Sequence, residues 1–193
     1  MLKADEVAHH LAGSLRLLNK DSAGLERFAV SIDAFWRSFL AVTLTAPAFI
    51  LVIASDRVRL GLPLQDGLFS EPGIVAVRLV AACIAWLAFP LLMIGVCRAL
   101  GLGHRYVGYI IVYNWSAVIT TSVLAVPSGA FALGWVPGEL VALFAVGFAA
   151  VIFHYRWFVA RTALGVSGGL AALLAFGDLG LVTVVEAAVR AAL

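Results

Sequence analysis

Five stretches of this chain are each long and apolar enough to cross a lipid bilayer as a helix. The hydrocarbon core of a bilayer is about 30 Å thick, and a helix needs roughly 20 apolar residues to cross it. The five stretches cover residues 32–54, 74–97, 106–127, 138–158 and 168–189. The sequence therefore predicts an all-α fold, an integral membrane bundle of five transmembrane helices.

The overall composition supports lipid as the solvent of this fold. Of the 193 residues, 63% are hydrophobic and 12% are charged, whereas soluble domains have about 45–50% apolar and about 25% charged residues. A chain this short cannot hide such an excess in its core. The net charge of +2 carries no signature of nucleic-acid binding. We therefore expect the lipid bilayer, and no nucleic acid, as a partner.

Residues 1–31 form a separate amphipathic segment ahead of the five-helix domain at 32–193. Apolar residues recur at spacings of four, four and three, which places them on one helical face: Val7, Leu11, Leu15 and Leu18. Asp21 is placed to cap a second turn. Two interpretations remain open, a helix lying on the inner membrane surface and a helix packed on the loops of the bundle. His9 and His10 are adjacent and point about 100° apart on a helix, so no metal site is predicted.

The distribution of basic residues predicts the orientation of the chain. Cytoplasmic segments carry an excess of Lys and Arg. With the N-terminus inside, nine basic residues lie on the inner side and four on the outer side. The outer four are Arg57, Arg59, Arg78 and Arg190. We therefore expect a multi-pass cell-membrane protein with a cytoplasmic N-terminus and an external C-terminus. Arg outnumbers Lys eleven to two, as in bacteria with GC-rich genomes, which favours a bacterial inner membrane.

Aromatic and basic residues at the ends of the predicted spans indicate interfacial anchors. Tryptophan is enriched where a span meets the headgroups, and Arg extends its charged end to the same level. Trp36, Arg37, Arg156 and Trp157 are predicted at the inner interface, and Trp135 at the outer one. The bases of residues 154–161 also favour contact with anionic lipid headgroups at the inner face.

Asp178 is the one carboxylate predicted near the middle of a span. A charged side chain at mid-bilayer costs about 2.5–3.5 kcal/mol on insertion scales, and such residues face the bundle interior and have partners. Arg78 in the second span and Asn114 in the third span are the candidate partners. Asp178 therefore serves either an interhelical hydrogen bond that fixes packing or a relay for protons or ions.

The third predicted span carries hydroxyl groups along one helical face. The spacings of three, four, three and four place these residues in a row: Tyr106, Tyr109, Tyr113, Ser116 and Thr120. Asn114 flanks the row. Unpaired polar groups are costly in lipid, so this face packs against other helices or lines a cavity.

Common catalytic and metal-binding motifs are scarce in this sequence. Zinc-protease, P-loop and paired-cysteine patterns are missing from all 193 residues. The chain is therefore interpreted as a non-enzymatic protein that needs no cofactor. Pro47 and Pro90 lie inside the first two spans and are expected to bend them.

The chain resembles the Yip (Ypt-interacting protein) membrane-domain family over roughly residues 28–190. The stretch at 100–118 is similar to the glycine-bearing turn and aromatic span of that family, with Gly101, Gly103, Gly108 and either Tyr109 or Tyr113 in the matching positions. In the turn at 161–171 a glycine is placed to end the fourth helix and Ser167 to cap the fifth, and this turn is similar to that of the family as well, through Gly165, Ser167 and Gly168. The resemblance implies five membrane helices, a cytoplasmic N-terminal segment and no catalytic residue. Serine and alanine stand at 116–117, where the family often has a proline.

Two functions remain open at this point. The first is a Yip-like scaffold or membrane-organising protein that acts through lipids, through a homo-oligomer or through a membrane-protein partner. The second is a small transporter or channel subunit that uses Asp178 and the polar face of the third span. A membrane-embedded enzyme has the least support, because no acid and nucleophile stand at a readable spacing.

Overall fold

The computed structural model describes residues 4–193, apart from the side chain of Ala142, and these residues form an all-α bundle. An N-terminal helix, Ala4–Leu18, and a short 3-10 helix, Ser22–Arg27, precede the bundle. Five helical spans follow: Ile32–Arg59, Pro72–Ala99, Gly103–Ala132, Gly138–Leu164 and Gly168–Ala192. A further 3-10 turn, Leu64–Asp66, lies in the first loop. The predicted fold class is therefore confirmed by five helices long and apolar enough to cross a membrane.

Each span is longer than the sequence predicts. The spans contain 28, 28, 30, 27 and 25 residues, and the largest extensions are at the ends of the first, third and fourth spans. Charged residues in two of these extensions, among them Asp56 and Arg161, lower the local hydropathy, although the helix continues through them. Asp56 finds its partner inside the bundle, in a cluster with Arg78.

The first span is interrupted near its middle. It consists of an α-helix at Ile32–Ser38, a 3-10 helix at Phe39–Thr45 and a second α-helix at Ala46–Arg59. Pro47 stands in the first turn of that second α-helix, and because it has no N–H it cannot donate to a carbonyl of the preceding turn. The place where a bend is expected is therefore the place where the 3-10 helix changes to an α-helix.

The third span is the central helix of the bundle. In its most apolar window 67% of the residues are buried, against 18–39% in the other spans. It packs on the first, second and fourth spans, and the fifth span packs on the second and fourth. The sequence predicts the end of this span at residue 127, but the helix continues to Ala132. A Cβ on Gly129 would meet the Leu51 side chain at 3.1 Å, so close packing on the first span holds this extension.

The N-terminal helix packs against the bundle, on the third and fourth spans. Leu17 is fully buried, and the His10 ring lies 4.6 Å from the Trp115 ring. The Tyr155 hydroxyl donates a hydrogen bond to the Ser14 carbonyl at 2.8 Å. These contacts show a helix docked on transmembrane spans, which differs from both a helix lying free on the membrane surface and one packed only on loops.

The turns around the N-terminal side of the bundle follow the sequence closely. Asp21 accepts a hydrogen bond from the Ala23 amide and caps the 3-10 helix. Gly165 ends the fourth span with φ +62°, and Ser167 caps the fifth span through the Leu170 amide. Both predicted caps are confirmed. The left-handed φ favours glycine at position 165, and a Cβ there would displace the guanidinium of Arg105, which donates to the last carbonyl of the fourth span.

Candidate functional site

The strongest polar feature inside the bundle is a cluster between the third, fourth and fifth spans. We call Tyr113, Ser116, Thr120, Arg156 and Asp178 the central cluster, and all five side chains are buried. Asp178 lies ten residues inside the fifth span, and Arg156 lies eight residues before the end of the fourth. At 1.5 Å per residue these depths are about 15 Å and 12 Å. The cluster therefore lies well inside the spans.

Arg156 is held by groups of the third span and by Asp178. Its Nη1 donates to Ser116 Oγ at 2.9 Å and to the Tyr113 carbonyl at 3.2 Å, and its Nη2 donates to Thr120 Oγ1 at 3.2 Å. The guanidinium carbon lies 4.0 Å from the centre of the Tyr113 ring, a cation–π arrangement. The prediction that Arg156 anchors the inner interface is therefore wrong, because the fourth span continues to Leu164 and carries this side chain inside.

Asp178 has partners other than those predicted. The Tyr113 hydroxyl donates to Asp178 Oδ1 at 2.6 Å, and Arg156 Nε lies 3.2 Å from Asp178 Oδ2. The second contact is an ion pair without hydrogen-bond geometry, since Nε has no hydrogen-bond partner. The prediction of Arg78 or Asn114 as the partner is wrong. Arg78 pairs elsewhere, and Asn114 Nδ2 donates to Ser38 Oγ at 2.9 Å in the first span.

The central cluster is a closed arrangement with balanced charge. One guanidinium faces one carboxylate, and the exposed fractions of their side chains are 9% and 7%. Ions buried in this way are stable only when they are paired and hydrogen-bonded. Neither of the two cavities described in this section is lined by a residue of the cluster. Chemically, the arrangement is suited to joining three helices.

A second ionic cluster lies near the opposite ends of the spans, away from the N-terminal helix. We call Asp56, Arg78 and Glu186 the distal cluster; it joins the first, second and fifth spans. Arg78 Nη2 donates to Asp56 Oδ1 at 2.8 Å, and Arg78 Nη1 donates to both carboxylate oxygens of Glu186 at 2.8 and 2.9 Å. Asp56 and Arg78 are buried, whereas the Glu186 side chain is 42% exposed. A cavity of about 140 Å³ adjoins Asp56 and Arg78.

The sequence does not predict three of the buried charges. Arg156 appears as an anchor, while Asp56 and Arg57 appear as part of an outer loop. Arg57 is only 1% exposed, and it donates to Ser70 Oγ and to the Pro63 carbonyl, both at 2.8 Å, which fastens the first loop. The sequence signal that could have located Asp56 is Arg78. A base within a span requires an acid as its partner, and Asp56 is the nearest acid on the preceding span.

The remaining residues of the predicted polar face are inside the bundle, with one exception. Tyr109 is buried, and Ser116 and Thr120 also donate to backbone carbonyls of their own helix at 2.8 and 3.2 Å. Tyr106 is only half-buried, and its hydroxyl donates to the Pro90 carbonyl at 3.1 Å. The face therefore packs against helices, which is one of the two alternatives that the sequence leaves open.

The predicted tryptophan and arginine anchors occupy different surroundings. Trp36 and Trp135 are largely exposed, as an interfacial position requires. Trp157 Nε1 donates to the Gly168 carbonyl at 2.9 Å across the turn between the last two spans. Arg37 pairs with Glu6 at 3.1 Å and with Asp33 at 3.4 Å. Arg37 therefore also ties the N-terminal helix to the first span.

A cleft of about 590 Å³ lies between the N-terminal helix and the start of the first span. His10 lines it and is only 7% exposed. Burial lowers the pKa of His10 below its ordinary value of 6.5, opposed by the charge of Glu6 and reinforced by His9 and Arg37. Within residues 4–193, no three His, Cys, Asp or Glu side chains are grouped closely enough to hold a metal ion.

Comparison with protein-family models, with curated proteins and with solved structures gives no match to this chain.

Proposed function

We propose that this chain is a non-enzymatic multi-pass membrane protein of Yip-like type with a scaffold or membrane-organising role. It acts through the lipid bilayer and through a second copy or another membrane protein. Its five spans form the structural module. The N-terminal segment, which docks on them through His10 and Tyr155, contacts the partner.

One observation carries this proposal: the polar groups of the central cluster are used in contacts with one another. Asp178 accepts a hydrogen bond from the Tyr113 hydroxyl and forms an ion pair with Arg156. Arg156 in turn donates hydrogen bonds to Ser116 and Thr120. A transport residue must exchange partners with a substrate or with water, and intramembrane acids in transporters line such a path. The closed pairing of Asp178 favours a role in helix packing.

Reconstitution into liposomes distinguishes the scaffold from the transporter. We expect the purified protein to give no proton flux above that of empty liposomes when a pH gradient or a membrane potential is applied, measured with an enclosed pH dye. Asp178→Asn should leave this baseline unchanged. Flux that requires the protein and disappears in Asp178→Asn would reject the scaffold and establish the transporter.

The proposed orientation, with the N-terminus in the cytoplasm, has its own test. Single cysteines at His104 and Gln65 report on the start of the third span and on the first loop, in a background where Cys83 and Cys97 are alanine. Both positions are exposed. An impermeant maleimide added outside intact cells should label Gln65→Cys and spare His104→Cys. The reverse pattern would contradict the orientation and with it the Yip-like topology.

A further inference from the structure

The N-terminal helix, the 3-10 helix after it and Phe28 form one unit, which we call the N-terminal arm. Within the arm, Arg16 and Asp21 pair at 2.6 Å. The two helices pack so closely that a Cβ on Gly24 would lie 2.6 Å from the Gly13 carbonyl oxygen. Residues 29–31, which follow the arm, are exposed and belong to no helix. The arm can therefore leave the bundle as a unit by rotation within this short linker.

The contacts that hold the arm on the spans involve four of its residues: Glu6, His10, Ser14 and Leu17. Glu6 forms an ion pair, Ser14 accepts a hydrogen bond through its backbone, and Leu17 is apolar. Among these four side chains only a histidine changes its charge between pH 5 and pH 8 at its ordinary pKa. A dependence of docking on pH in this range would therefore come from His10.

The His10 ring is enclosed by aromatic side chains. It stacks on Phe28 at 5.4 Å, lies 4.6 Å from the Trp115 ring and is only 7% exposed. Its Nδ1 is sealed from solvent and has no hydrogen-bond partner within residues 4–193. In the neutral ring the proton can lie on Nε2, whereas in the cation both nitrogens carry an N–H. Protonation therefore leaves a buried N–H without an acceptor, which is costly.

The nearest charged groups do not offset this cost. Glu6, on the same helix, attracts a cation at His10, but its carboxylate already pairs with Arg37 of the first span at 3.1 Å. His9 and Arg37 oppose a further positive charge. The faces of the two aromatic rings attract a cation as well, yet they offer no oxygen to accept the Nδ1 proton. The balance therefore favours the neutral ring.

The other elements around His10 add little to this balance. Trp115 of the third span carries no charge, and Tyr155 of the fourth span contacts the arm one turn away, at Ser14. The remaining charged groups line the cleft beside the arm, where solvent screens them: Asp5, Glu26, Arg27 and Asp33. Burial is the largest influence, and it lowers the pKa of His10 below the ordinary value of 6.5.

We propose that His10 is a pH switch that controls the docking of the N-terminal arm. When the ring gains a proton, the equilibrium shifts to an undocked arm, because only there do both N–H groups reach water. The docked arm is favoured above about pH 6.5 and loses stability as the pH falls below that value. Undocking uncovers Ser14 and Leu17, which are fully buried while the arm is docked. The switch goes beyond the scaffold role, and its test requires no partner.

Labelling of a cysteine beneath the arm measures undocking directly. The full-length protein is held in nanodiscs, with Cys83 and Cys97 changed to alanine, and carries Ser14→Cys. Ser14 Oγ is sealed and has no hydrogen-bond partner within residues 4–193, so this change removes no bond. The rate of maleimide labelling is divided by the rate for Leu15→Cys, a position that is 49% exposed on the same helix. The effect of pH on the thiol then cancels, provided that re-docking is faster than labelling.

We expect this ratio of rates to rise between pH 7.5 and pH 5.5 by up to about tenfold, the limit for one ring whose pKa is 6.5 when undocked and lower when docked. His10→Phe keeps a ring between Phe28 and Trp115 but cannot gain a proton, and it should abolish the rise. His10→Asn, which is also uncharged at both pH values, replaces it if His10→Phe fails to fold. The matched control is His9→Gln, which removes the exposed neighbouring histidine and should keep the rise.

A reporter inside the bundle distinguishes undocking from general unfolding. Cys97 is only 1% exposed in the second span, and its labelling, measured in Cys83→Ala against the same reference, should not change with pH. Four results would overturn the proposal. They are a Ser14→Cys ratio that does not respond to pH, an equal rise in His10→Phe, loss of the rise in His9→Gln, and a parallel rise at Cys97.

Discussion

The central and distal clusters each hold one arginine between helices, but only the central cluster is enclosed on all sides. Arg156 and Asp178 are 9% and 7% exposed and balance each other's charge. Arg78 faces two carboxylates, and one of them, Glu186, is 42% exposed. The second negative charge is tolerated in the distal cluster because solvent reaches it near the ends of the spans.

This difference shows that the cost of leaving an ionic group without a counterion depends on its depth in the bundle. Asp178 and Glu186 lie on the same helix, eight residues or about 12 Å apart. At the depth of Asp178, removing one partner leaves an unpaired buried charge. At the depth of Glu186, water can replace the missing partner. The two carboxylates of one helix therefore provide a matched comparison.

The largest effect is expected for Asp178→Leu, which leaves Arg156 buried without a counterion. We expect a loss of about 3–5 kcal/mol in the free energy of unfolding, measured by titration with sodium dodecyl sulfate in mixed micelles. Glu186→Leu is the control, since it makes the same change on the same helix and should cost much less. Equal losses for the two variants would remove the distinction between the clusters.

Tyr113→Phe should have the next largest effect. It deletes the hydroxyl that donates to Asp178 at 2.6 Å and keeps the ring beneath Arg156. A hydrogen bond to a charged group contributes about 1.5–3 kcal/mol, so a loss of that order is expected in the same titration. Tyr109→Phe is the control, because the Tyr109 hydroxyl forms no hydrogen bond within residues 4–193. If Tyr109→Phe lowered the free energy of unfolding more than Tyr113→Phe, the hydrogen bond from Tyr113 to Asp178 would not be the stabilising contact of the central cluster.

Within the distal cluster, the two carboxylates should differ from each other. Glu186→Gln should change stability by about 0–1 kcal/mol, as for solvent-exposed ion pairs. Asp56→Asn should cost more, because Asp56 is buried and faces Arg78 directly. Both variants keep the size of the side chain and can be compared by thermal unfolding in detergent. If Glu186→Gln lowered stability more than Asp56→Asn, the distal cluster would be as inaccessible to solvent as the central one.

The smallest effect is expected from pH, and it comes from His10, since neither cluster contains a histidine. The pKa of His10 is lowered in the folded protein, so the unfolded chain binds more protons below pH 6.5. Stability should therefore be constant above about pH 6.5 and should fall as the pH decreases through the folded pKa. Thermal unfolding at pH 7.5 and 5.5 should show this decline in the wild type and a smaller one in His10→Phe. Identical declines would contradict the buried, neutral His10.

The sequence predicts the five spans and their caps well, because apolar runs and residues such as Gly165 and Ser167 act locally. It does not predict the ionic pairs, for a reason that is the same at both clusters. Arg156 and Asp56 each lower the hydropathy near the end of an apolar run, so each appears to mark the end of a span. Only the packing of distant helices brings their counterions close enough to let the helix continue past them.

A double-mutant cycle on Arg156 and Asp178 tests most directly whether the central cluster is a closed pair that joins the helices. Arg156→Met and Asp178→Leu are measured singly and together by unfolding in mixed micelles. We predict that the double variant is more stable than the sum of the single losses implies, with a coupling of about 2–3 kcal/mol. Strictly additive losses would contradict the account, because Arg156 and Asp178 would then not stabilise each other in the folded protein.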